Sequence, residues 1–399
     1  DLAVIMQKSI SKQTGLVLPG GGARGAYQVG VLKGVAELLP SDCSNPFQVI
    51  SGTSAGAVNA SVIAANSNSF GVAVDELEDV WSNFQSNQVY KTDNLTMIKS
   101  SMHWLVSIVM RGYMFGNPKS LLDNSPLREL LTEHIRFSDI QRNIDAGLLH
   151  AISVTAAGYS SQCSTSFFQS NNIIEEWKRT RRKGVRAEIT IEHLMASIAI
   201  PMIFPQVRIT NEYFGDGAMR QATPLSTAIH LGADRILVIG IRGHEEKLAH
   251  QNLPSSYPSF AHIAGYMLDT LFMDGLYSDL ERVIRINELI DESHQNHTDE
   301  LNYRLRPIDT MIINPSQSIS SIASQCYSSM PRSIRLIIRG ISVKDNNGVD
   351  RLLSFLLFEK QYTKKLIDLG YQDAIAMQKN LLKFVKGQEI SGTVNSRKN

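Results

Sequence analysis

The chain of 399 residues is poor in cysteine, in charged residues and in long apolar runs. Its three cysteines, Cys43, Cys163 and Cys326, are odd in number and far apart, which excludes a disulfide framework and a metal knuckle and predicts a reducing compartment. Charged residues make up 19% of the chain, below the roughly 25% usual for soluble domains, while 43% are hydrophobic. This composition excludes a disordered chain and predicts a large core.

An excess of charge of either sign is also missing. Lys and Arg total 39 while Asp and Glu total 38, so the formal net charge of +1 excludes a general nucleic-acid binder. The most apolar runs, residues 104–110 and 198–204, are far shorter than the roughly 20 residues that span a bilayer. Residues 1–14 lack the pattern of a signal peptide. We therefore expect a cytoplasmic protein that is soluble or peripheral to a membrane.

Signals for strands and helices alternate along the first half of the chain. Residues 15–19 predict a short buried strand, and residues 25–39 carry apolar side chains at helical spacing. A second strand at 47–51 precedes a helix of small residues at 54–65, and residues 235–241 predict a further buried strand. This alternation predicts an α/β fold with a mainly parallel sheet.

A run of glycines follows the first predicted strand, since residues 20–25 read Gly-Gly-Gly-Ala-Arg-Gly. The pattern satisfies G-x-G-x-x-G, but a dinucleotide site also needs an acidic residue after the next strand, which ends in Ser51-Gly52. Consecutive glycines leave backbone N–H groups unhindered beside the positive end of a helix, which suits a developing oxyanion. A glycine turn without chemistry is the alternative.

The second predicted strand leads into Gly-Thr-Ser-Ala-Gly at residues 52–56. In this G-x-S-x-G pattern, a sharp turn from strand to helix projects the serine hydroxyl clear of the sheet. Gly52 and Gly56 form the elbow because they avoid clashes in the bend. The motif predicts Ser54 as a nucleophile; the alternative is that Ser54 only caps the following helix.

A nucleophilic serine needs a base within hydrogen-bond reach. None of the ten histidines has a telling context, and His193 and His230 fall inside predicted helices. Asp216 follows an apolar segment and is flanked by Gly215 and Gly217, so its carboxylate is a candidate base that requires no histidine. Taken alone, this motif favours an ordinary turn aspartate.

Together, these motifs resemble those of patatin-like phospholipases, and most of all those of the bacterial members. The resemblance covers residues 13–242 and extends more loosely to about 315. It is carried by ordered segments at residues 20–25, 52–56, 196–205, 216–218, 224–225 and 235–239.

The resemblance implies a three-layer α/β/α sandwich and a lipid acyl hydrolase that needs no cofactor or metal. Ser54 would be the nucleophile and Asp216 its base, in a dyad without a catalytic histidine. Ala218 stands where many members have glycine, and we expect this methyl group to alter the turn without abolishing activity. The oxyanion hole would be formed or supported by Gly20, Gly21, Gly22 and Arg24.

The expected substrate is a phospholipid or another fatty-acyl ester, cleaved as by a phospholipase A or a lysophospholipase. Two alternatives stay open. The same fold would also suit a non-catalytic lipid-binding or regulatory protein, and the same site would suit small soluble esters or peptides. No nucleic acid is expected as a partner, and the sequence does not predict the oligomeric state.

The domain organisation follows from the extent of the resemblance. We expect an N-terminal extension over residues 1–12, a patatin-like catalytic domain over 13–315, a C-terminal helical extension over 316–386 and a flexible tail over 387–399. The C-terminal helices would pack on or beside the core. Within the catalytic domain, the polar stretch 286–306 is predicted to be loop-like or frayed.

Two further segments have both a structural and a functional interpretation. Residues 97–115 are rich in apolar and aromatic side chains, which predicts either a buried helix or a lid that admits acyl chains. A basic cluster usually forms a solvated face, but it also predicts contact with anionic lipid at about 1 kcal/mol per charge. The basic cluster consists of Lys178, Arg179, Arg181, Arg182, Lys183 and Arg186.

Overall fold

A computed structural model of the protein describes residues 12–91, 120–171, 173–221, 223–243, 259–295, 305–331, 335, 346–388 and 394–395. The apolar segment predicted at 97–115 lies outside these residues, as does the N-terminal extension apart from Lys12.

A central sheet of eleven described strands organises the molecule. The strands are β1 (Thr14–Leu18), β2 (Val49–Thr53), β3 (Ala151–Gly158), β4 (Ser164–Ser170), β5 (Trp177–Arg179), β6 (Arg182–Arg186), β7 (Val207–Ile209), β8 (Glu212–Asp216), β9 (Arg235–Ile239), β10 (Asp309–Ile313) and β11 (Val394–Asn395). Their order is β11-β10-β9-β1-β2-β3-β4-β6-β5, and β11 through β3 are parallel. β4 is antiparallel to β3, and the hairpin of β7 and β8 pairs with the end of β3.

Helices cover both faces of the sheet. They are α1 (Gly25–Glu37), α2 (Ala55–Ala65), α3 (Phe70–Ser82), α4 (Ser86–Val89), α5 (Ser125–His134), α6 (Phe137–Asp145), α7 (Ile191–Ser197), α8 (Pro224–His230), α9 (Phe260–Gln295), α10 (Ile319–Gln325), α11 (Asn346–Leu356), α12 (Lys360–Ala376) and α13 (Gln378–Val385). Side chains of α8 and α9 form the core on one face, and the other helices pack mainly on the opposite face. The predicted α/β/α sandwich with a mainly parallel sheet is therefore confirmed.

The parallel strands determine where chemistry can occur. β1, β2 and β9 are buried along their whole length, as expected for strands covered by helices on both faces. Their carboxyl ends lie at one edge of the sheet, where ligands bind in open α/β sheets. The glycine run after β1 and the serine turn after β2 are therefore neighbours at this edge.

The prediction that residues 286–306 are loop-like or frayed is wrong for residues 286–295, which continue α9 to Gln295, while residues 296–304 lie outside the described ranges. Leu280, Val283 and Ile290 are buried at helical spacing along α9. The buried stripe thus continues through Ile290 in a stretch whose other described side chains are half-buried or exposed.

The C-terminal helices pack closely on the first helix of the sandwich. A Cβ atom on Gly30 of α1 would lie 2.0 Å from the carbonyl oxygen of Ile367 in α12, so only glycine fits there. The buried Tyr27 hydroxyl donates a hydrogen bond of 2.9 Å to Asp373 Oδ2 across the same interface. The described residues within 316–386 thus contribute to the main core, and residues 394–395 of the expected tail form β11.

Replacing Gly30 with Ala is expected to force α1 and α12 apart and to lower the free energy of unfolding by about 1–3 kcal/mol, measured by chemical denaturation. Gly71→Ala in α3 is the matched control, because the nearest atom to its new Cβ would be the Ser41 carbonyl oxygen at 3.5 Å. Helix propensity alone predicts that this control gains up to about 1 kcal/mol. Equal stability of the two variants would contradict the close packing of α1 on α12.

Candidate active site

Ser54 occupies the sharp turn between β2 and α2. Its backbone has φ 53° and ψ −128°, a strained conformation for a residue other than glycine. A Cβ atom on Gly56 would lie 2.1 Å from the Leu18 carbonyl oxygen, so the turn fits against β1 only because this position is glycine. The geometry agrees with the strained elbow that the sequence motif predicts.

Ser197, at the end of α7, holds this turn in place. The Ser54 N–H donates a hydrogen bond of 2.8 Å to Ser197 Oγ, and the Ser197 hydroxyl donates to the Thr155 carbonyl oxygen at 2.6 Å. Ser197 is fully buried and links the nucleophile turn to β3. No role was predicted for it from sequence, where the only signal is a polar residue at the end of an apolar helical segment.

The structure brings Ser54 and Asp216 together from positions 162 residues apart. The Ser54 hydroxyl donates a hydrogen bond of 2.6 Å to Asp216 Oδ2. Asp216 ends β8 and is 2% exposed; its Oδ1 accepts a hydrogen bond of 2.9 Å from the Ala218 N–H. The turn at Gly217–Met219 includes Ala218, which is half-buried.

Burial controls the protonation of this carboxyl group. Loss of water raises the pKa of Asp216 from 3.8 to about 7, against the opposing effect of the hydrogen bonds from Ser54 and Ala218. A carboxylate with a pKa near neutral pH can accept a proton from a hydroxyl group and release it again. The geometry and the pKa therefore suit a general base.

None of the histidines in the described residues contacts this pair through a hydrogen bond. His193 lies in α7 with its ring against Phe167 at 4.7 Å, and burial lowers its pKa to about 4. His230 ends α8, where its ring stacks on Trp177 at 4.9 Å. Both side chains have packing roles in their helices.

The glycine run lies directly against the nucleophile. A Cβ atom on Gly20 would lie 2.8 Å from the Cβ atom of Ser54. Gly22 has φ +54° and starts the short 3-10 turn Gly22–Arg24. In the part of the chain that the structure describes, the N–H groups of Gly21 and Gly22 have no hydrogen-bond acceptor. These two donors are therefore free to bind an anion beside Ser54.

Arg24 supports the glycine run from behind. Its guanidinium group is fully buried, donates to Ser354 Oγ at 2.9 and 2.7 Å, and lies 3.2 Å from Asp269 Oδ1. The same group lies over the Phe355 ring at 3.9 Å, while the Arg24 N–H donates to the Gly21 carbonyl oxygen at 3.1 Å. Helices α9 and α11 thus anchor the loop through contacts that the sequence did not predict.

An apolar cavity opens beside Ser54 and Gly22. Its walls come mainly from α2, α3 and α5 and from the segment that follows α7. Among the residues that line it are Val58, Val62, Leu77, Trp81, Leu131 and Phe204. Such a surface suits a hydrocarbon chain better than a polar substrate.

The basic cluster forms the hairpin of β5 and β6 at the end of the sheet. Lys178, Arg179 and Arg181 are exposed, and we call these three residues the basic tip. The other three basic residues are half-buried and contact neighbouring groups. Arg182 donates a hydrogen bond to Thr223 Oγ1, and Lys183 lies 3.9 Å from Glu212. Arg186, at the end of β6, donates to backbone carbonyl oxygens.

Strand register places the basic tip at the active-site edge of the sheet. Asp216 pairs with Ala156, Ala156 with Thr165, and Thr165 with Lys183. Three strand spacings separate Asp216 from Lys183, which corresponds to about 14 Å. The basic tip and the carboxylate therefore face the same side of the molecule.

In the described ranges, no cluster of three or more His, Cys, Asp or Glu side chains is arranged to hold a metal ion. Cys43, Cys163 and Cys326 are free thiols. None of the described helices combines the length and the apolar character needed to cross a membrane.

Comparison with known proteins gave one family match. The model of the family described as "Patatin-like phospholipase" matches residues 16–229 of the chain. No curated protein sequence matches it significantly.

Solved structures with some similarity come from bacteria and from human. VipD from Legionella pneumophila is 13% identical, with 86% of this chain and 67% of that chain covered and a TM-score of 0.30. Human GIVD cytosolic phospholipase A2, solved with methyl gamma-linolenyl fluorophosphonate, is 12% identical, with 94% of this chain and 59% of that chain covered and a TM-score of 0.39. The ExoU–SpcU heterodimer of the Pseudomonas aeruginosa type III secretion system is 11% identical, with 92% of this chain and 75% of that chain covered and a TM-score of 0.25. The chain thus spans 59% of the human protein.

The raised pKa of Asp216 predicts a pH-dependent cost to stability. Between its unfolded pKa of 3.8 and its folded pKa of about 7, the unfolded state has lost a proton that the folded state retains. The free energy of unfolding should therefore fall as pH rises through this window, by up to about 4 kcal/mol relative to Asp216→Asn, which lacks the titration. Chemical denaturation of both proteins at several pH values measures this difference. A difference that does not change with pH would contradict the raised pKa.

Proposed function

The chain belongs to the patatin-like phospholipase family, and from this premise we propose that it is a serine lipid acyl hydrolase acting through Ser54 and Asp216. The observation that carries the proposal is the 2.6 Å hydrogen bond from the Ser54 hydroxyl to the buried Asp216 carboxylate. The bond joins a strained nucleophile to a base whose pKa is about 7.

In the first step, Ser54 Oγ attacks the carbonyl carbon of the ester while Asp216 takes the hydroxyl proton. The carbonyl oxygen becomes an oxyanion, which the N–H groups of Gly21 and Gly22 stabilise. One such donor typically contributes roughly 3 kcal/mol to the stability of the transition state. The tetrahedral intermediate then collapses, the proton passes from Asp216 to the leaving alcohol, and an acyl group remains on Ser54.

In the second step, Asp216 takes a proton from a water molecule that attacks the acyl group on Ser54. The same N–H groups stabilise the second oxyanion, and the proton returns to Ser54 as the fatty acid leaves. Each step transfers one proton to and from the same carboxyl group. One buried base therefore serves both halves of the reaction.

The apolar cavity supports a fatty-acyl substrate over a small soluble ester. It begins at Ser54 and is lined by aliphatic and aromatic side chains. Each methylene group that leaves water for such a surface gains about 0.8 kcal/mol, so a long acyl chain would bind much more tightly than an acetyl group.

Replacing Ser54 with Ala should lower the rate of fatty-acyl ester hydrolysis on the order of 10⁴-fold or more while the protein stays folded. Asp216→Asn should also lower this rate, because the Ser54 hydroxyl then has no base. Release of fatty acid measures activity, and circular dichroism checks the fold. Retained hydrolysis in Ser54→Ala would overturn the proposal, and complete loss in a variant of any one histidine would favour a histidine base.

We also propose that the basic tip orients the active-site edge toward anionic lipid. The tip is exposed and lies on the same edge as Asp216, so a membrane that contacts one approaches the other. Each charge near an anionic surface contributes about 1 kcal/mol, and salt weakens this attraction.

The double variant Arg179→Ala/Arg181→Ala should bind phosphatidylserine-containing vesicles roughly 30-fold more weakly than wild type at low salt, because it loses about 2 kcal/mol. The matched control is Lys379→Ala/Lys383→Ala, which removes two exposed lysines of α13. This helix lies at the opposite edge of the sheet, where the Phe384 carbonyl oxygen accepts a hydrogen bond from Arg235. Vesicle co-sedimentation measures binding. Equal losses in the two variants, or binding that ignores the content of anionic lipid, would contradict an oriented contact.

A further inference from the structure

The apolar cavity follows one face of α2 away from the nucleophile. Ala55, Val58 and Val62 line it at helical spacing, so it extends over eight residues from Ser54, about 12 Å along the helix axis. Helix α3 runs back toward the glycine run, since a Cβ atom on Gly25 would contact Trp81 at 3.1 Å. The walls are therefore formed by helices that lie alongside one another.

A polar pair lies at the other end of this cavity. Glu76 of α3 and His134 of α5 both line it, and Glu76 Oε1 is 3.8 Å from His134 Nδ1. Glu76 Oε2 also accepts a hydrogen bond of 2.8 Å from Asn66, the residue directly after α2, about 18 Å beyond Ser54 along the helix axis. This second contact fixes the pair at the end of the cavity farthest from the nucleophile.

The pair differs chemically from the rest of the cavity wall. Among the described lining residues, Glu76 and His134 carry the only titratable side chains, and the remainder apart from Ser54 are apolar. Their side chains are 28% and 35% exposed, so both also contact water on the outer surface. A carboxylate keeps this water only while no hydrocarbon covers it.

From this geometry we propose that Glu76 and His134 set the maximum length of the acyl chain that the enzyme accepts. The inference rests on the proposed acyl hydrolase function and adds a specificity determinant to it. Affinity should rise with each methylene group that enters the apolar part of the cavity. A chain that reaches the pair must remove water from a carboxylate or break the contacts of Glu76 with Asn66 and His134, so affinity should then fall.

A series of saturated acyl esters with one common leaving group tests the proposal, with kcat/KM measured at each chain length. Wild type should show a maximum followed by a decline. In Glu76→Leu/His134→Leu the cavity end becomes apolar, so the maximum should move to longer chains. The ratio of kcat/KM for the longest ester to kcat/KM for the shortest should rise about tenfold or more, because about two more methylene groups are accommodated.

Glu78→Leu/Glu133→Leu is the matched control. Glu78 lies two positions from Glu76 in α3, and Glu133 lies one position from His134 in α5. Neither residue lines the cavity, and Glu78 instead accepts a hydrogen bond of 2.7 Å from Lys33. The control should keep the wild-type profile. The same shift in both double variants, or no shift in Glu76→Leu/His134→Leu, would overturn the proposal.

A second variant tests the proposal even if Glu76→Leu/His134→Leu does not fold. His134→Phe should fill the end of the cavity and move the maximum to shorter chains, the opposite direction. A profile identical to wild type in this folded variant would likewise overturn the proposal. Failure of the wild-type protein to hydrolyse an ester of any length would instead overturn the proposed function, so the two failures are distinguishable.

Discussion

Removal of the Asp216 carboxylate from water is the constraint on which the site depends. In water this group would be a weak base, but burial raises its pKa to about 7, where it can accept the Ser54 proton. The same burial destabilises the folded protein at neutral pH. A stable sandwich must therefore support the site, and the large shared core of the sheet and its covering helices provides this stability.

Parts of the chain that are distant in sequence hold the reacting groups in place. Ser197 fixes the nucleophile turn to β3, and Arg24 joins the glycine run to Asp269 and Ser354. The N–H groups proposed to stabilise the oxyanion thus depend on the C-terminal helices, which also pack along α1. This dependence explains why a region beyond the matched residues 16–229 bears on the geometry of the site.

Sequence reasoning agrees most closely with the structure where one local motif determines the backbone conformation. The turn at Ser54 and the glycine run are of this kind, because their glycines are required by contacts with neighbouring strands and helices. Ser197, Asp269 and Glu76 could not be assigned in this way, since their importance comes from partners far away in sequence. The stretch 286–306, predicted to be loop-like or frayed, is helical over residues 286–295, where Ile290 continues the buried stripe of α9 despite the polar composition.

The central claim is that a buried aspartate activates Ser54, and the rate of covalent modification by an alkyl fluorophosphonate tests it most directly. In this reaction Ser54 Oγ displaces fluoride from phosphorus while Asp216 takes the hydroxyl proton. Mass spectrometry should locate the adduct on Ser54, and the rate should rise with pH to a plateau with an apparent pKa of about 7. A rate that does not change around neutral pH, or an adduct at another residue, would contradict the claim.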